Sequence, residues 1–88
     1  MIDFHEFADQ IPEHTKIALN SYLEFGIVPG SFLQYVICGE LFDAARNADC
    51  ENLRALGSIA MFIDRYADSR SYGSRHALNY WTNKEHGQ

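Results

Sequence analysis

The stretch that most narrows the possible folds runs from Gly26 to Asp43, GIVPGSFLQYVICGELFD. Gly26 suits the left-handed residue that stops a helix, and Pro29 blocks its continuation. Past the turn through Val28, Pro29 and Gly30, Ser31 supplies the side-chain oxygen of an N-cap. From Phe32 to Cys38 nearly every residue is apolar, and a helix that is apolar all round belongs in the interior. Tyr35, Val36 and Ile37 also favour β structure, but no second strand or hairpin turn lies nearby, so the helix is preferred. Gly39 weakens or kinks it, by about 1 kcal/mol relative to Ala. A helical segment then resumes at Glu40, with Leu41, Phe42, Ala44 and Ala45 expected to face inward, and ends near Asn47.

The flanking chain supplies elements to wrap this segment. Asp3 can cap a short turn over Phe4–Asp9, too short to hold alone and expected to be pinned by Phe4 and Phe7. Pro12 fits the first turn of the next helix and Glu13 complements its dipole. Over 12–25, Ala18, Tyr22 and Phe25 form a stripe, Leu19 and Leu23 lie beside it, and His14 and Ile17 widen the apolar side. Asp49 caps the longest helix, about 50–67, with Asn52 where a capping box would hold Glu or Gln. Its stripe reads Leu53, Leu56, Ala60, Ile63 and Ala67, thickened by Ile59, Phe62 and Tyr66. After the polar loop 68–73, Ser74 caps a final helix of about 75–83 carrying Ala77, Leu78 and Trp81 inward.

The expected fold is therefore all-α: one domain over 1–88, four to five short helices bundled around the apolar helix at about 31–38. A short helix occupies 1–10, and the tail 84–88 is expected to fray. Eighty-eight residues leave no room for a second core, and apolar residues at 47% of the chain argue against disorder.

Charge is unevenly spread. Residues 1–44 hold seven acids against Lys16, a net −6; residues 45–88 hold five acids against six bases, a net +1. A positive field, which nonspecific nucleic-acid binding requires, is lacking overall. A basic partner surface fits better, although solubility alone would also account for −5. Cys38 and Cys50 form no Cys-x-x-Cys pair and are expected to be reduced. The start, MIDFHEF, is acidic where a secretory leader is basic, and no apolar run reaches ~18 residues. A cytosolic protein that spans no membrane is expected.

PEHT (12–15), GIVPGSFL (26–33), ELFDA (40–44), Ala48-Asp49 with Asn52, and Tyr72-Gly73-Ser74 followed by Trp81 together resemble a family of short, mostly uncharacterised proteins of tailed bacteriophages. The resemblance covers roughly 10–82. Tyr72 stands where that family often has Trp. The resemblance implies a phage protein acting in the cytoplasm of an infected bacterial cell, and it supplies no catalytic residues.

The residues themselves carry little chemistry. His5, His14, His76 and His86 do not form the close ligand pairs of a structural zinc site, even with Cys38 and Cys50. No metal or cofactor is expected. Ser58, Asp64 and His76 are the ingredients of a triad, without a nucleophile elbow, a phosphate loop or an HExxH motif. Enclosing a pocket of ~300 Å³ would also hollow the only core, so no enzyme is expected. The helix, GIVPG turn and following helix imitate a helix-turn-helix, but Ser31–Asp43 has no Lys or Arg, which a recognition helix needs.

Recognition of another protein remains. Glu6, Asp9, Glu13 and Glu24 could meet a basic surface, and Arg70, Tyr72 and Arg75 are residue types that dominate interfaces. The leading expectation is a non-enzymatic phage accessory protein that binds and inhibits or redirects a host protein, with a counter-defence factor (against CRISPR or restriction) as one form. Two alternatives stand beside it: a small DNA-binding regulator using the basic C-terminal half, and a homo-oligomeric structural component.

Overall fold

In the computed structural model, residues 1–85 are described, with side chains through Asn83. Within them a 3-10 turn, His5–Phe7, precedes five α-helices: α1 (Glu13–Phe25), α2 (Ser31–Cys38), α3 (Leu41–Asn47), α4 (Cys50–Tyr66) and α5 (Arg75–Glu85). A second 3-10 turn, Ser69–Ser71, leads into α5. No strand forms among the described residues. The all-α architecture is the one the glycines and helical spacings predict.

The stops and starts are local chemistry. Gly26 takes φ 67° and closes α1, its N–H donating to Tyr22 O. Gly39 takes φ 79° and does more than kink the apolar run: it ends α2 outright. The Gly39 and Glu40 N–H groups turn back to the Val36 and Tyr35 carbonyls, at 3.1 and 2.8 Å. Asp49 Oδ1 accepts from Asn52 N at 2.8 Å and Ser74 Oγ from Ala77 N at 3.0 Å, so both expected caps form. Two starts differ from expectation. Gly30, in extended geometry, is the N-cap of α2, so Ser31 is the first helical residue and its side chain caps nothing. Pro12, with ψ 147°, sits just before α1 at its N-cap.

Which faces turn inward departs further from the sequence pattern. The core is built from Phe4, Phe7 and Ile11 of the N-terminal segment, Leu19 and Tyr22 of α1, Leu33, Ile37 and Cys38 of α2, Ala55, Ile59, Phe62 and Ile63 of α4, and Leu78 and Trp81 of α5. Phe4 and Phe7 pin the short N-terminal turn by packing on Phe62, one ring tilted and the other edge-on, with ring centroids 4.8 and 6.4 Å away. Helix α2 is not wrapped on all sides: Phe32, Tyr35 and Val36 are half-buried. Seventeen-residue α4 contributes more to the interior than α2 does.

On α4 the buried line is Asn52, Ala55, Ile59, Phe62 and Ile63, rotated from the expected one. Leu53 and Ala60 consequently face solvent and Leu56 is half-buried. Asn52 sets the rotation. Its amide oxygen accepts a hydrogen bond from Thr15 Oγ1 of α1, both side chains being buried; a buried polar group of this kind must face its partner. On α1 the same bond turns Thr15 inward, leaving His14, Ile17 and Phe25 exposed where the sequence suggested contact.

α3 gives the largest departure. Ala44 is fully buried, whereas Leu41 and Phe42 are 59% and 74% exposed and Ala45 is half-buried. A seven-residue helix held at one small residue can lie close against its neighbours only along the line of that residue. Leu41 and Phe42, about 60° and about 160° round the helix from it, then stand mostly in solvent.

Three buried polar bonds fix how the helices sit. Tyr22 OH donates to Ser71 O at 2.7 Å, joining α1 to the turn before α5. Trp81 Nε1 donates to Tyr22 O at 2.9 Å, joining α5 to α1. The bond from Thr15 to Asn52 joins α1 to α4. Gly73 N donates to Ile37 O at 2.8 Å and seats the last loop on the end of α2. α5 runs to Glu85, through the first two residues of the expected frayed tail; 86–88 lie outside the described residues.

Candidate functional site

Most of the residues expected to meet a partner are occupied within the chain. Glu6 accepts from Arg65 Nη1 at 2.8 Å and from Tyr66 OH at 2.6 Å, so the acid tethers the N-terminal turn to the end of α4. Those bonds, the Tyr66 one first, hold its carboxyl below the usual range. Glu13 lies 3.2 Å from Lys16. Arg70 grips Asp68 through Nε and Nη2, at 3.0 and 2.6 Å, which raises its pKa further. Tyr72 is half-buried, with its hydroxyl 3.2 Å from Asp64 Oδ1. Arg75 reaches Glu40 and Gln34, each at 3.4 Å. Asp9 and Glu24 alone of the set are exposed and make no hydrogen bond or ion pair among the described residues.

The structure does bring Arg70 and Tyr72 together. They line an open cleft of about 410 Å³ with His76 and Tyr80, while Arg75 falls outside it. A second cleft, of about 330 Å³, gathers His14, Ser31, Asp49 and Asn52, with His14 Nε2 3.3 Å from Asp49 Oδ2. Both are open depressions in the surface and neither hollows the core. Ser58, Asp64 and His76 do not assemble: Ser58 Oγ donates to Gln10 at 2.6 Å, Asp64 accepts from Tyr72, and no bond joins the three among the described residues. No group of three or more His, Cys, Asp or Glu side chains converges among the described residues either. Cys38 is buried, which raises its pKa, and Cys50 is exposed; neither is bonded. No described helix is long and apolar enough to cross a membrane.

The basic half is less basic in space than in sequence. Arg46 pairs with Asp43, Arg65 with Glu6, Arg70 with Asp68 and Arg75 with Glu40. Lys16, the only Lys or Arg of the first half, is largely covered and donates to Ala8 O at 2.8 Å.

Two apolar surfaces remain uncovered, and sequence reasoning missed both. The first lies at the end of α1. Gly26 and Pro29 are buried and hold the intervening loop down, leaving Ile27 and Val28 projecting, 49% and 55% exposed. Gln34 Nε2 donates to Pro29 O at 2.8 Å and fixes the loop from α2. Phe25, 57% exposed, precedes it, and Ile17 stands on the same face of α1 two turns back. Glu24 sits among them. The second is on α3 and α4: Leu41, Phe42, Leu53 and Met61 stand exposed, and Leu41 lines a groove of about 150 Å³ with Val36, Ala44, Leu56 and Ala60. The isolated pattern could have flagged the first surface, because Ile27 and Val28 sit in a turn between helix stops where burial is hardest.

Compared with protein-family models, with curated proteins and with solved structures, the chain finds no match.

Proposed function

We propose that this is a non-enzymatic accessory protein of bacteriophage type that binds a host protein bearing a basic surface, and inhibits or redirects it. The contact is made by the end of α1 and the loop after it. One observation carries the reading: Phe25, Ile27 and Val28 are held out by a loop whose neighbours Gly26 and Pro29 are buried, beside the exposed acid Glu24. A loop fixed before binding loses little freedom on docking. An aromatic residue flanked by aliphatic ones is the usual composition of an energetic anchor. Glu24 and Asp9, exposed acids that make no ion pair among the described residues, favour a basic partner.

A DNA-binding role draws less support, since four arginines of the C-terminal half are engaged with carboxylates. Such cations are poorly placed to release counterions from phosphate.

The test is a pull-down from the bacterial host with the wild type and Phe25→Ser/Val28→Ser in parallel, followed by titration of the captured protein at two salt concentrations. The expected result is a basic-surfaced protein retained by the wild type, lost by the variant, and captured more slowly as salt rises. Equal retention by both, or nothing above background, overturns the reading. A gel shift at low salt is expected to show no DNA complex.

A further inference from the structure

We propose that the cleft of about 330 Å³ where the first turns of α1, α2 and α4 meet binds a small monocarboxylate with a short apolar tail. Its polar lining consists largely of donors that the chain leaves unused. α2 opens without a side-chain cap, and the N–H groups of Ser31, Phe32 and Leu33 meet no acceptor among the described residues. The first N–H to be paired is that of Gln34, on Gly30 O at 3.1 Å. Ser31, Phe32 and Leu33 all line the cleft, and the exposed Ser31 hydroxyl caps nothing.

A helix start alone would do no more than hold water. Asn52 distinguishes this one. It is only 6% exposed and lines the same cleft. Its oxygen is taken by Thr15 Oγ1 at 2.5 Å, a length that suits O–H···O and is too short for a nitrogen in that place, which fixes the orientation of the amide. Asn52 Nδ2 then has no acceptor among the described residues. No fully enclosed side-chain nitrogen or oxygen among them lacks a partner, so Nδ2 reaches the open space of the cleft. A donor set this deep, with nothing in the chain to receive it, requires an acceptor from outside.

The class of ligand follows from what else borders the cleft. The unpaired N–H groups of α2 and Asn52 need an acceptor, and the starts of α2 and α4 favour a negative one. Asp49, the one carboxylate in the lining, limits how much charge that acceptor carries. Its Oδ1 accepts from Asn52 N at 2.8 Å and its Oδ2 lies 3.3 Å from His14 Nε2. A single negative charge is accommodated beside it, whereas a doubly charged phosphate meets twice the repulsion. Ala18, Phe32 and Leu33 add an apolar wall for a short hydrocarbon tail, and the volume is at the small end of ligand sites. None of these residues belongs to the exposed end of α1, so the site is separate from the surface proposed to meet a host protein.

Butyrate is the probe. Titrated into the isotope-labelled full chain and followed by amide NMR, with sodium chloride as control, it should shift the Ser31, Phe32 and Leu33 amides and the Asn52 side-chain NH2 saturably. The expected Kd is about 1–10 mM, with inorganic phosphate at least about tenfold weaker. Asn52→Asp keeps an oxygen for Thr15 but puts a carboxylate oxygen where the free donor was, and should weaken butyrate at least about tenfold. Ser31→Pro removes an N–H and the hydroxyl at the first helical position, which accepts Pro because Gly30 before it is extended, with ψ 173°. It should weaken binding about fivefold, and it decides the matter alone if circular dichroism shows Asn52→Asp unfolded. No saturation by about 100 mM, shifts that chloride reproduces, phosphate bound as tightly as butyrate, or undiminished affinity in either folded variant overturns the proposal.

Discussion

The surroundings of Tyr22 and the outer face of α3 are made of the same kinds of side chain, yet one is sealed and the other bare. Tyr22 is fully buried, with its hydroxyl on Ser71 and its carbonyl taken by Trp81. These bonds span 49 and 59 residues, so they fix distant segments in a single register. The hydrogen bonds that α3 makes from its own side chains are local: Arg46 to Asp43 at i+3 and Asn47 Nδ2 to the Asp43 carbonyl at i+4. Apolar content supplies the drive to bury surface, but it has no direction. Direction comes from the few buried polar groups that must each find a partner. A helix without such a bond keeps whatever face its connections leave it.

The sharpest way to break this contrast is to truncate one large apolar residue in each region. Trp81→Ala removes a buried ring and the donor to the Tyr22 carbonyl, and should cost about 3–5 kcal/mol in urea unfolding. Leu41→Ala should change stability by no more than roughly 0.5 kcal/mol, because the residue is already mostly in water. Comparable losses would mean that α3 is held by its apolar side chains after all.

The contrast also marks what the sequence can disclose. Gly26, Asp49 and Ser74 act on their own neighbourhoods, and the helix boundaries they set are readable from residue type; Gly39 reads as a kink and instead ends α2. The rotation of α4 was not. Leu53, Leu56, Ala60 and Ile63 make a convincing stripe, and only Thr15, 37 residues away, turns Asn52 inward in place of Leu53. The charge that Glu6 presents, among the candidate partner residues, is decided in the same way. Glu6 reads as a free acid until Arg65, across the fold, claims it. Long-range polar pairing decides both faces and charges, and it leaves no local trace.

Two glycines sharpen the point at a smaller scale. Gly26 is buried with φ 67°, so Gly26→Val forces a β-branched side chain into left-handed geometry and should cost roughly 2 kcal/mol. Gly57 is helical and open to solvent, with nothing near an added β-carbon. Gly57→Ala should therefore stabilise the monomer by about 1 kcal/mol. Urea midpoints moving in opposite directions are the expected result. A destabilising Gly57→Ala would place α4 under a constraint that monomer packing does not reveal.

The smallest effect concerns the exposed tether between the N-terminal turn and α4. Glu6 is ionised when it accepts from Tyr66 and Arg65, and those bonds lower its pKa in the folded chain. A carboxyl whose folded pKa is depressed adds stability that is fully present above its unfolded value and is lost as pH falls through the folded one. Glu6→Gln should accordingly lower the urea midpoint slightly near neutral pH, and the gap from wild type should close as pH falls through the lowered pKa of the folded carboxyl. Salt should shrink it too, since the pair is solvent-exposed. A gap that survives acid would show that the stacking of His5 on Tyr66, at 4.0 Å between ring centroids, depends on the shape of the Glu6 side chain rather than its charge. The N-terminal turn would then belong with the sealed region around Tyr22, held by oriented contacts that titration cannot undo.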